Sequence, residues 1–330
     1  MTARTPLYLS ESIVQACLSD AEVYNIVSHT LSELSGTQVV KGPKSGFGVD
    51  IDGEHVHMGS VSGCLLSARA AGIKWFMVLG KSRPPNVPRV PATILVYDAK
   101  AGVLDGVLDA AYLTCRRTAA MAVAAAFACG GRPLNKAAVI GAGHIGCALV
   151  RCLATTQSLR SIAVASREES SARHACEVVV GSLQGDVTLH STSDIRQAVS
   201  DADVVFTATN VSEPTDLVRS DWLQEHAVVC SLGSQREVDF KLISQAWIVV
   251  DDPEGLKLRN KDFREGGVGW GQIAGDLGSL ISGQLRPPED PGKVFLILAG
   301  LGVLDVALGA RAIANARREG LGVPLEPPPA

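Results

Sequence analysis

Three features of the sequence predict an α/β fold, a doubly wound parallel sheet joined to a separate α+β domain. The apolar run Ala137 to Ile140 ends in Gly141, Gly143 and Gly146, and a helical stretch then leads to a second apolar run closing at Ser166. From Asn135 onward, short apolar runs alternate with helical stretches, as in a parallel sheet with crossover helices. The first hundred residues differ in texture, with strand-like runs separated by Gly/Asp turns, which indicates antiparallel pairing.

The elements follow in order. Tyr8–Leu9 starts a strand, and Ser10-Glu11-Ser12 caps a helix predicted to run to about Leu34. Short strands are expected around Val39, Val49 and Val56, then at Ala71–Leu79 and Ala92–Asp98, with Asp98 to Gly102 as a hairpin-type turn. Leu104 to Cys129 reads mostly as alanine-rich helix. Parallel strands are placed at Ala137–Ile140, Ser161–Ser166, Val187–His190, Val204–Ala208, Val228–Leu232 and Trp247–Val250, with helices between several of them, as in Asp194–Val199. Val294 to Arg318 reads as helix, and Gly322 to Ala330, with its four prolines, as a disordered tail.

The glycine spacing predicts a Rossmann-type dinucleotide site, because each glycine answers a physical need. Gly141 permits the tight turn, Gly143 lets the backbone approach a pyrophosphate, and Gly146 permits close helix–strand packing. The phosphates are expected on the N–H groups of the helix N-terminus, with His144 and Ile145 lining the turn. An acidic residue about 20 positions past the glycines would select NAD through its ribose 2′-hydroxyl. Ser166 and Arg167 stand there instead and suit a 2′-phosphate, so the cofactor is expected to be NAD(P)H with NADP(H) favoured. The other reading leaves Arg167 in solvent and gives the ribose to Glu168 or Glu169. Thr207 and Thr209, at the end of the fourth parallel strand, and Ser231 and Leu232, at the end of the fifth, are expected to border the crevice where dinucleotides lie.

Bulk properties exclude other classes. Net charge is −4 with no basic cluster, which argues against nucleic acid. Apolar runs such as Met121 to Cys129 and Val294 to Leu304 are too short for a bilayer span, and the N-terminus shows no signal-peptide core, so a cytoplasmic protein is expected. The eight cysteines include no CxxC pair and read as reduced, buried thiols. His55 and His57 lack a third ligand at suitable spacing, so no metal site is expected.

Several strings resemble the ornithine cyclodeaminase/mu-crystallin family: Gly72-Ile73-Lys74, Asp98 to Gly102, Leu113 to Ala120 with its Arg-Thr-Ala-Ala core, and the glycine loop. Further matches are Val249 to Asp252, Gly275-Asp276-Leu277, and Gly300-Leu301-Gly302 running into Asp305. The resemblance implies a substrate-binding and dimerisation domain from residues 1–115 with 305–330, a dinucleotide-binding domain from residues 116–304, and a homodimer. The chain departs from the cyclodeaminases in the loop Ser231 to Val238, which lacks their aspartate. That loop, its flanks and Arg89, nine residues before Asp98, look more like the family's 2,3-diaminopropionate-forming dehydrogenases. The resemblance thus implies an NAD(P)-dependent oxidoreductase acting on the C–N bond of a small carboxylated, amino-acid-derived amine or imine. Its specific form is oxidative hydrolysis of N-(1-amino-1-carboxy-2-ethyl)glutamate to 2,3-diaminopropionate and 2-oxoglutarate. An NADPH-dependent ketimine, imine or 2-oxo-acid reductase, a cyclodeaminase-like enzyme, and a mu-crystallin-like NADPH and ligand carrier remain as alternatives.

Lys74 interrupts an apolar strand, where a buried ammonium needs an anion, and the family match makes it a contact for the substrate carboxylate or imine. Arg117 precedes a run of small residues, and its planar fork suits a bidentate carboxylate clamp, whereas Arg116 is expected to face solvent. Arg89, in a proline-rich loop, is expected to clamp an extra carboxylate, and Lys44 to add a further substrate cation. Asp305 is expected to pair with a substrate-domain cation or to approach the nicotinamide end.

Overall fold

The computed structural model describes residues 5–80, 82–129, 133–157, 159–183, 186–211, 213–259 and 272–325. The chain divides into two compact units, Met1–Arg117 with Leu301–Ala330, and Thr118–Gly300. The sequence placed these boundaries at 115/116 and 304/305. The shift brings Arg116, Arg117 and residues 301–304 into the first unit.

The first unit holds a seven-stranded sheet in the order β15-β1-β6-β5-β4-β3-β2. Its strands are β1 (Leu7–Leu9), β2 (Val39–Ile51), β3 (Glu54–Leu65), β4 (Ala70–Val78), β5 (Ala92–Asp98), β6 (Val103–Asp109) and β15 (Val323–Pro324). Four expectations change here. The predicted N-terminal helix is two helices, α1 (Glu11–Cys17) and α2 (Asp20–Ser32), because Ser19 starts a new one by accepting a hydrogen bond from the Glu22 amide. Val39, Val49 and Val56 belong to one long hairpin, turned at Asp52 and Gly53, which both have positive φ. The glycines and proline of β2 are tolerated because it is an edge strand with a register shift between Lys41 and Lys44. Residues 104–109 form strand β6, paired with β1 and β5, and helix α3 (Ala111–Ala128) begins only afterwards. Val323 and Pro324, read as tail, pair with β1. The Asp98 turn is as expected, its carboxylate accepting from the Lys100 and Ala101 amides.

One face of this sheet is covered by the last helix, α10 (Gly302–Glu319). The approach is close: a Cβ at Gly63 would strike Val303, and one at Gly72 would meet Leu95 and Val306. Lys44, Val61, Lys74 and Ile94 are successive cross-strand partners and therefore share a face, with Lys74 and Ile94 fully enclosed. Their neighbours Ile73 and Trp75 point to the opposite face, where both are exposed.

The second unit is an eight-stranded, fully parallel sheet in the order β13-β12-β14-β11-β10-β7-β8-β9. It comprises β7 (Lys136–Ile140), β8 (Ser161–Ala165), β9 (Thr188–Thr192), β10 (Val204–Thr207), β11 (Val228–Ser231), β12 (Trp247–Val250), β13 (Ile273–Asp276) and β14 (Val294–Ile297). Helices α4 (His144–Thr156), α5 (Glu169–Glu177), α6 (Ile195–Val199), α7 (Phe240–Gln245), α8 (Pro253–Arg259) and α9 (Leu277–Ile281) lie between them. Strand order reverses between β7 and β10, the switch point of a Rossmann-type sheet. The sequence reading missed β13 and assigned Val294–Ile297 to a helix. That run is instead a fully buried strand between β11 and β12, and short all-apolar runs carry no period to separate the two. Among the described residues, no helix is long and apolar enough to cross a membrane, and no cluster of His, Cys, Asp or Glu could hold a metal ion.

Candidate active site

The glycine loop joins β7 to α4 at the switch point. Gly141 has φ +105° and leaves no room for a side chain, since a Cβ there would lie 2.7 Å from the Ala208 carbonyl oxygen. Gly143 faces open space and caps α4 without a side chain, so the first amides of the helix remain available to an anion. Gly146 departs from its expected part: a Cβ there would collide with the Gly141 carbonyl, so it closes the helix onto the loop rather than onto the strand. His144 is exposed and Ile145 half-buried at the same helix start. The cradle has the shape and the unsatisfied donors that a pyrophosphate requires.

Ser166 follows β8, its amide bonded to the Thr192 carbonyl. Arg167 beside it is 94% exposed and reaches Glu168 only at 4.0 Å, so its guanidinium is available to a ligand. At the carboxyl ends of β10 and β11 the residues sort differently from expectation. Thr207 and Ser231 do not face the crevice. Both are fully buried and donate to one carboxylate oxygen, Glu237 Oε1, at 2.7 and 2.8 Å. Thr209 is half-buried, Leu232 likewise, and the Leu232 amide donates to the Thr207 carbonyl. Sequence reasoning assigned Glu237 no role. It is enclosed, and its other oxygen, Oε2, has no hydrogen-bond partner among the described residues. Gln235 nearby holds φ +64°, and its amide nitrogen donates to the Gly233 carbonyl at 2.9 Å.

In the first unit three predicted residues converge. Lys74 Nζ donates to Asp305 Oδ1 at 2.9 Å and to Thr114 Oγ1 at 3.3 Å, and Arg117 Nε donates to the same Asp305 oxygen at 3.2 Å. The register of β4 turns Lys74 beneath α10, whose first turn supplies Asp305, and α3 supplies Thr114 and Arg117. All three charged groups are buried, and Asp305 Oδ2 has no partner among the described residues. Burial, then the neighbouring Arg117 charge, pulls the Lys74 pKa down to about 7 against the opposing pull of Asp305, and Lys44 adds to the lowering. Lys44 is half-buried on the same face, two strands from Lys74. Arg116 is not solvent-facing. It is buried against Asp20 at 2.6 Å and the Leu18 carbonyl at 2.8 Å, and it stacks on Tyr112, which makes it a structural cation.

Arg89 is not brought into this cluster. It is half-buried in the β4–β5 loop, its carbonyl accepting from the Leu79 amide, five residues beyond Lys74. At ~3.3 Å per residue the two backbones stand roughly 16 Å apart. Burial and the nearby Arg83 charge lower its pKa. Asp251 and Asp276, within the family-like strings, are structural: Asp251 accepts from the Ala299 and Gly300 amides, and Asp276 caps α9. His55 pairs with Asp50 at 2.9 Å across the β2–β3 hairpin.

A sequence model of the ornithine cyclodeaminase/mu-crystallin family matches residues 7–319. The chain belongs to this family. Among relatives, it is 28% identical to the ketimine reductase mu-crystallin of Rattus norvegicus over 224 residues, 67% of this chain and 68% of that protein. It is 24% identical to the N-((2S)-2-amino-2-carboxyethyl)-L-glutamate dehydrogenase of Staphylococcus aureus over 267 residues, 77% of each chain. Among solved structures, a Thermococcus litoralis Δ1-pyrroline-2-carboxylate reductase in complex with NADH and L-proline superposes with a TM-score of 0.84 at 20% identity, covering 97% of this chain and 100% of that one. An archaeal alanine dehydrogenase dimer with bound NAD gives 0.82 at 20% identity, covering 98% and 99%. The two likenesses show a shared fold over nearly the whole length of the chain, both units included.

Proposed function

We propose that this family member is an NAD(P)-dependent oxidoreductase acting on the C–N bond of a small carboxylated amine or imine. The observation that carries the reading is the buried Lys74–Asp305–Arg117 cluster. Two cations share one carboxylate oxygen, so the cluster is short of negative charge whenever Lys74 is protonated. Enclosed charge of this kind is stabilised by an anion, and a substrate carboxylate supplies one. Mu-crystallin-like carriage of an apolar ligand gives these cations nothing to bind.

The bound nicotinamide supplies a hydride acceptor or donor. Lys74 and Arg117 hold the carboxylate on the reacting carbon, and Asp305 fixes the directions in which they point. In the oxidative direction the carbon loses hydride, its nitrogen loses a proton, and a C=N bond forms. Water then adds to that carbon, and the C–N bond breaks to give a 2-oxo acid and an amine. The specific form we favour releases 2,3-diaminopropionate and 2-oxoglutarate, in keeping with the named activity of the Staphylococcus aureus relative. A reductase of ketimines or 2-oxo acids is the second reading, supported by the available Arg167, which also favours NADP(H) over NAD(H). The active form we infer is a cytoplasmic homodimer, joined through the exposed apolar face of the first unit's sheet.

The test follows absorbance at 340 nm with NAD(H) and NADP(H) against tricarboxylated amines, cyclic ketimines and 2-oxo acids with ammonia. Turnover of N-(1-amino-1-carboxy-2-ethyl)glutamate with release of 2-oxoglutarate is expected. Nucleotide binding without turnover of any C–N substrate would overturn the enzymatic reading.

A further inference from the structure

Glu237 has no part in the chemistry above, yet it is the most enclosed carboxylate of the second unit's strand ends, with no exposed surface. Its Oε1 receives both neighbouring hydroxyls, from Thr207 on β10 and Ser231 on β11, which uses their protons and fixes the two strand ends. Its Oε2 is left without a donor. A buried carboxylate oxygen in that condition is costly, and such atoms are few in folded proteins. The backbone of Gly233 lies in front of the carboxylate, where a Cβ would stand 3.1 Å from Oε1, 3.3 Å from Oε2 and 3.2 Å from the Thr209 carbonyl oxygen. Thr209 Oγ1 is a second buried polar atom without a partner, and Thr209 Cγ2 would lie 3.2 Å from a Cβ on Gly141. Two unsatisfied polar atoms thus lie directly behind glycine backbone, Gly233 over Glu237 and Gly141 beside Thr209, at the carboxyl ends of β10 and β11.

The position of these atoms in the strand order points to the ligand group. In a doubly wound sheet the pyrophosphate sits on the first glycine loop, and the adenosine ribose lies at the end of the next strand, here β8. The other half of the dinucleotide then extends to the opposite side of β7, over β10 and β11. We propose that Glu237 anchors the nicotinamide riboside. Its Oε2 accepts a hydrogen bond from the carboxamide N–H or a ribose hydroxyl, while Oε1 keeps Thr207 and Ser231 in place. This rests on the dinucleotide reading of the glycine loop.

Isothermal titration of wild type, Glu237→Gln and Glu237→Ala with NADH, NADPH, ADP-ribose and ADP tests it without turnover. Gln is the same size. With its oxygen receiving the two hydroxyls, its NH2 would stand where an acceptor is needed. Glu237→Gln is expected to weaken both dinucleotides on the order of tenfold or more. Binding of ADP, which lacks the nicotinamide riboside, should stay within about twofold. Unchanged ADP-ribose binding would identify the carboxamide as the donor, and weakened ADP-ribose binding the ribose. Equal loss for ADP and the dinucleotides would show a merely structural carboxylate and overturn the proposal, as would no loss in a folded Glu237→Gln. Failure of the wild type to bind any of the four would overturn the dinucleotide reading as well.

Discussion

Lys74 is cut off from water beneath α10, and that lost hydration, reinforced by the Arg117 charge, brings its pKa from 10.5 to about 7. Two consequences of opposite sign follow. For binding, a carboxylate is held by the protonated form, so kcat/KM for carboxylated substrates should fall as pH rises through about 7. For stability, the unfolded lysine keeps its proton up to about 10.5 while the folded one releases it near 7. The unfolded state therefore binds more protons in that window, and stability gains with rising pH between those values. In Lys74→Met both dependences should flatten, as read from pH–rate profiles and urea midpoints, and kcat should drop because the reacting carbon is no longer positioned. A wild-type kcat/KM that is flat from pH 6 to 9 would refute the carboxylate role. Arg89 supplies the contrast. Roughly 16 Å along the hairpin from Lys74, it can reach the far end of an extended substrate at most. Arg89→Ala should raise KM for a tricarboxylated amine about tenfold and leave a monocarboxylated imine unchanged. Equal KM values for the tricarboxylate in both proteins would remove residue-level support for the diaminopropionate reading.

At the scale of elements, legibility followed how local the cause was. The strand–glycine–helix unit was readable because its demands fall within ten residues: a turn, an open cradle, a close packing. Lys74 and Arg117 were readable as cations set among apolar residues, and Asp305 as a partner for a substrate-domain cation, but which cations it joins was not readable, since they are 231 and 188 residues away. Glu237 was invisible for the same reason, its Thr207 partner lying 30 residues earlier. Strand β14 was misread because a short all-apolar run carries no period, and β6 because its apolar pairs Val103-Leu104 and Val107-Leu108 recur at helical spacing. The glycine unit also yields a sharp expectation. Gly141→Ala would place a Cβ 2.7 Å from the Ala208 carbonyl at φ +105°. Strain of about 1–3 kcal/mol at the turn should lower Tm and abolish tight nucleotide binding. Nucleotide affinity within twofold of wild type in that variant would show that the turn does not hold the phosphates.

At the scale of the molecule, the first unit's sheet presents two unlike faces. α10 covers one. On the other, Val40, Phe47, Ile73, Trp75 and Tyr97 are all exposed, and the cross-strand register puts them on a common side. Phe47 is 54% and Trp75 45% exposed, part of an apolar display carried by β2, β4 and β5 that is uncommon on a monomer's surface. A second copy of the same face is the self-complementary partner that two-fold symmetry provides, and apolar burial would drive the pairing. Such a dimer should persist at high salt, where screening weakens pairing based on charge. Trp75→Glu and Phe47→Glu together would set two carboxylates against their symmetry mates on a desolvating surface. Light scattering after size exclusion should then show the monomer mass of 34.5 kDa, with nucleotide binding retained, because the glycine loop belongs to the other unit. A double variant that still runs at twice that mass would mean that the subunits pair elsewhere, and that the apolar face has another occupant.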